Sequence, residues 1–65
     1  MFRPGSHNPY ALYWSDPDGG PDRYLGPAMS AEAAVGIAGL LNAAVDGGRP
    51  DWVATLPMVP RREAV

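Results

Sequence analysis

The sequence predicts an α+β module of ββαβ type: a three-stranded antiparallel sheet in the order 2-1-3, one helix packed on one face, and extended arms at both ends. Three observations carry this. A run of aromatic and aliphatic residues is followed by a dense turn signal and a second short run, which is the pattern of a β-hairpin. Apolar residues then recur at helical period between a serine cap and a glycine stop. A last alternating run supplies the third strand.

Residues 1–9 contain Pro4, Gly5 and Pro9 among polar residues and read as an extended arm. The single module spans 10–56. Its first strand is expected over residues 10–14, where Tyr10, Leu12 and Trp14 alternate with Ala11 and Tyr13. Residues 15–21 gather aspartate, proline and glycine into a loop, and residues 22–25, Asp-Arg-Tyr-Leu, resume a strand until Gly26-Pro27 ends it. Ser30 can accept a hydrogen bond from an unpaired N–H of the next turn, and Glu32 complements the positive helix end, so a helix is expected over 31–46. Ala34, Ile37, Ala38, Leu41 and Val45 form its apolar stripe, and Gly47-Gly48 and Pro50 stop it. Residues 52–56 alternate again, with Trp52, Ala54 and Leu56 on one side, and residues 57–65 form a tail carrying Arg61 and Arg62. The expected core joins Tyr10, Leu12, Trp14, Leu25, Trp52 and Leu56 to Ile37, Leu41 and Val45. The helix running back across the sheet brings the third strand beside the first.

A 65-residue chain hides only about 60% of the surface its unfolded form exposes, so its own core is marginal. Disulfides and thiolate metal sites are excluded because there is no cysteine, and His7 alone does not make a metal site. No cofactor is expected. Self-association or a protein partner is the remaining stabiliser. Five arginines against seven acids leave a net charge of −2 and no basic stripe, which disfavours nucleic acid as partner. Abundant Ala, Gly, Pro, Asp and Arg without Lys or Gln suggests a high-GC source, an actinobacterium or one of its phages. No apolar run is long enough for a membrane span and no secretory h-region is evident, so a cytoplasmic protein, or one carried within a virion, is expected.

The helix is the most informative stretch for function. Glu32 and Asn42 are its only strongly polar residues between 31 and 45, where an amphipathic helix should carry a full polar face. Ala33, Gly36, Leu40 and Ala44 outline a second smooth strip, and Gly36 and Gly39 each cost about 1 kcal/mol relative to alanine in a helix interior. Such a strip admits another backbone at close range. Tyr13 and Tyr24, with Val53, are expected on the open sheet face as a second docking surface. The expected partner contacts are Gly36, Gly39, Leu40 and Ala44 on the helix, Tyr13 and Tyr24 on the sheet, and Arg3, Arg61 and Arg62 in the arms.

Other chemistries fit the sequence less well. The loop from Asp16 to Asp22 places three carboxylates beside two glycines, but the sixth and twelfth positions of a calcium loop fall on Pro21 and Pro27. Ser6, Ser15 and Ser30 have no base placed near them, and no phosphate-binding or hydrolase motif occurs. The expectation is therefore no enzyme and no small-molecule substrate. A protein–protein interaction module fits better, as a structural or accessory subunit of a larger assembly such as a minor or decoration protein of an actinobacterial phage. The alternative is a free-standing, homodimeric regulator or inhibitor, also possible for a phage, that acts on a host protein.

Overall fold

The computed structural model describes residues 1–46 and 48–59. It is an α+β fold with one helix and an antiparallel sheet, but the sheet has four strands in the order β1-β2-β3-β4: Phe2–Pro4, Ala11–Trp14, Asp22–Pro27 and Met58–Val59. Helix α1 covers Ala31–Ala44, and a 3-10 helix covers Asp51–Thr55. The expected three-stranded order 2-1-3 is thus corrected, and one substitution explains it. The edge of β2 that was reserved for the last strand is taken by β1, with Phe2 opposite Trp14, Arg3 opposite Tyr13 and Pro4 opposite Leu12. The chain end can then pair only with the free edge of β3, where Val59 lies opposite Asp22 and Met58 opposite Arg23.

The start of the expected arm is therefore a strand. Pro4 sits at the sheet edge, the place where a residue without an N–H is tolerated. Phe2 is buried and packs edge-on against Trp14, with ring centroids 4.9 Å apart. The Met1 nitrogen donates to Ser15 O at 2.8 Å and Ser15 N to Met1 O at 2.8 Å, which makes a hydrogen-bonded pair. Such pairs alternate along an antiparallel ladder, so the polar groups of Phe2 face outward. There Asn42 of α1 takes both: Phe2 N donates to Asn42 Oδ1 at 2.7 Å, and Asn42 Nδ2 donates to Phe2 O at 2.9 Å.

Residues 52–56 do not form the expected strand. Asp51–Thr55 winds as a 3-10 helix after the extended Pro50, with Thr55 Oγ1 donating to Trp52 O at 2.6 Å. A 3-10 repeat brings positions three apart onto one side, so Val53 and Leu56 face the core together, where a strand would have paired Trp52, Ala54 and Leu56. Arg23 fastens this segment, its Nη1 donating to Ala54 O at 3.1 Å and Leu56 O at 2.9 Å.

The helix starts as expected: extended Ser30 accepts from Ala33 N through its hydroxyl at 3.1 Å. Its end differs, since Ala44 is the last helical residue and Asp46 adopts a left-handed φ of 53°. Aspartate is among the few residues that visit this region readily.

The main core joins Phe2, Leu12 and Trp14 to Ala34, Ala38 and Val53, flanked by Leu25, Leu41, Val45 and Leu56. Three residues placed in the core by sequence lie at the surface instead: Tyr10, Trp52 and Ile37. Trp52 still stacks on Phe2, at 5.5 Å and 22°. A second cluster, Ala11 and Tyr13 with Tyr24 and Val59, occupies the sheet face away from the helix.

Candidate functional site

Helix α1 buries Ala34 and Ala38 and leaves Val35 and Leu40 exposed. Ala34 and Ala38, one turn apart, are buried in the main core with Phe2, Leu12, Trp14 and Val53. Leu40 is 74% exposed and Val35 62%, with Ile37 exposed at the border. At 100° per residue, Gly36, Leu40 and Ala43 lie opposite the buried alanines and Ala44 lies on the flank beside Leu40, and all are exposed. A side chain added at Gly36 or Gly39 would meet open space. Among the described residues, nothing packs closely enough to require either glycine. Met29, just before the cap, is almost wholly exposed. The only charge on this face is Glu32, in the first turn.

On the sheet, the expected docking face is not open. Tyr13 is 7% exposed and packs on Tyr24 with centroids 5.4 Å apart, while Tyr24 is half-buried. Val53 belongs to the main core, because the 3-10 turn points it inward. Arg3, opposite Tyr13 on β1, is exposed. Arg61 and Arg62 lie outside the described residues. The structure thus brings Gly36, Gly39, Leu40 and Ala44 together on one helix face, separate from Tyr13, Tyr24 and Arg3 on the sheet.

The turn after β2 borders a recess of about 370 Å³ lined by Trp14, Asp16, Pro17, Asp18 and Arg49. Of its two acids, Asp16 shapes the turn. Asp16 Oδ1 accepts from Asp18 N at 2.8 Å, Gly19 N donates to Asp16 O at 3.1 Å, and Gly19 takes a φ of 88°. Asp16 Oδ2 is so close to Gly20 that a Cβ there would approach to 2.6 Å. Among the described residues, no group of three or more His, Cys, Asp or Glu could hold a metal ion. No helix among them is long and apolar enough to cross a membrane.

Sequence reasoning missed Asp22. It is 0% exposed, and neither carboxylate oxygen has a hydrogen-bond partner. Its position at the start of a short strand gave it the look of a turn residue. Only the pairing with Val59 shows that it lies inside the sheet.

Compared with known proteins, the chain matches no family model, no curated protein and no solved structure.

Proposed function

We propose that the chain is a non-enzymatic protein–protein interaction module, a small accessory or structural subunit of a larger assembly that docks through the outer face of α1. The observation that carries this reading is the exposed apolar face of α1: Leu40 and Val35 stand in solvent, while the buried side rests on Ala34 and Ala38. Left in water, that face forgoes about 25 cal/mol for each Å² of apolar surface it could cover. Gly36 and Gly39 weaken the helix by about 1 kcal/mol each, with no close approach among the described residues to offset it. A partner backbone lying along Gly36, Leu40 and Ala44 would account for both. Phe2–Pro4, expected within an extended arm, is an edge strand of the sheet, and Arg3 on it is exposed.

The test is a photo-crosslinking side chain placed at Leu40 in the native cell, together with Leu40→Asp and Gly36→Arg. One discrete crosslinked partner, lost in Gly36→Arg while the circular dichroism of the variant is unchanged, is the expected result. A monodisperse monomer with no crosslinked product would sink the reading. A crosslink only between copies of the chain would replace it with the homodimeric alternative.

A further inference from the structure

We propose that the partner segment seated on α1 is a basic amphipathic helix with a cation near each end of its apolar stripe, an inference that rests on docking through the outer face of α1. The charge of that face is the ground for it. Glu32 is exposed on the first turn, and Asp46, also exposed, follows the last. A helix carries partial negative charge at its C-terminal end, and α1 has no basic residue in its last turn to offset it. The described arginines are committed elsewhere. Arg3 pairs opposite Tyr13, whose side chain lies on the sheet face away from the helix. Arg23 donates to Ala54 O and Leu56 O, and Arg49 lines the recess beside Asp16 and Asp18. Between Glu32 and Asp46, every exposed residue of α1 is apolar or glycine. The face is thus an apolar strip with a negative group at each end, and the 14 residues of α1 set those ends about 21 Å apart.

That the occupant is a helix follows from backbone hydrogen bonding. The peptide groups of α1 are spent inside it, so its face offers an extended segment no ladder to join. Only a segment that satisfies its own N–H and C=O groups can lie there without water. Gly36 and Gly39 leave open space for such a rod to approach. A second copy of α1 is a poor occupant. Parallel pairing sets Glu32 on Glu32, antiparallel pairing sets Glu32 beside Asp46, and residues 31–46 hold no cation to relieve either. A lysine or arginine near each end of the partner's stripe, about four turns apart, removes both conflicts.

The photo-crosslinking side chain at Leu40 tests this in the native cell when the crosslinked peptide is sequenced by mass spectrometry. A second chain carries the same probe together with Glu32→Lys and Asp46→Lys. The expected segment has apolar residues three and four apart and a lysine or arginine within a turn of each end of that stripe. Charge reversal should cut the crosslinking yield about tenfold while the circular dichroism stays unchanged, because matched charge governs encounter and partner choice. Should the reversed chain lose helicity, the sequence of the segment captured by the parent decides alone. A captured segment with acidic or uncharged ends would overturn the basic helix and leave docking through α1 standing. So would a yield that charge reversal does not change in a folded variant. Crosslinks only between copies, or none at all, would overturn this inference along with the reading it rests on.

Discussion

Asn42 shows how much one side chain settles in a domain of this size. Asparagine is a poor helix former, and in the middle of α1 it is tolerated because its amide serves as a surrogate strand for Phe2. Removing it leaves an N–H and a C=O without partners at the rim of the core. Asn42→Ala should cost about 2 kcal/mol, as the loss of two part-buried hydrogen bonds outweighs alanine's better helix propensity. Chemical denaturation checks the magnitude. Amide exchange at Phe2 should accelerate more than exchange within β2. The polar outlier in the helix was visible in the sequence, but its partner was not, because nothing local connects position 42 to position 2. Arg23 is a similar case: a charge in a short strand reads as surface, whereas its guanidinium holds the turn that presents Val53.

At the level of elements, legibility followed the locality of the forces. The helix start and the hairpin were readable because a serine cap and an Asp-Pro-Asp-Gly turn depend on neighbours within four residues. The apolar stripe of α1 was readable in its alanines, in Leu41 and in Val45, with Ile37 falling at the border. The segment after Pro50 was not readable as a 3-10 turn. Asp-Trp-Val-Ala-Thr satisfies an alternating and a three-residue repeat alike, and the choice is made by the claim of β1 on the sheet edge. The exposure of Gly36, Leu40 and Ala44 was legible from helical spacing, whereas the burial of Tyr13 was not, since it depends on Tyr24 and Val59 meeting across strands. The proposed role of the strip yields a prediction at this scale. Gly36→Ala should raise the stability of the isolated chain by about 1 kcal/mol, because the added methyl enters open space and the helix gains propensity. Thermal unfolding measures this. The same variant should bind a close-packed partner less well.

The whole molecule has little stability to lose. At about 0.05–0.15 kcal/mol per residue, a chain of 65 residues has about 3–10 kcal/mol in total. Phe2 contacts Trp14 and Trp52 and anchors β1 under the helix, so Phe2→Ala should cost about 3–5 kcal/mol. The expected outcome is a broad or absent thermal transition, whereas a sharp transition within a few degrees of the parent would show that β1 is dispensable. The sheet's first strand is also completed from far away, by a side chain 40 residues downstream. During synthesis, Phe2 therefore waits about 2–8 s, at ordinary elongation rates, before Asn42 has even been added. Through that interval the nascent chain carries an unsealed strand bearing a large aromatic ring. A chain interrupted before residue 42 would be a fragment suited to sticking to its neighbours, and one that includes Asn42 would no longer have that property.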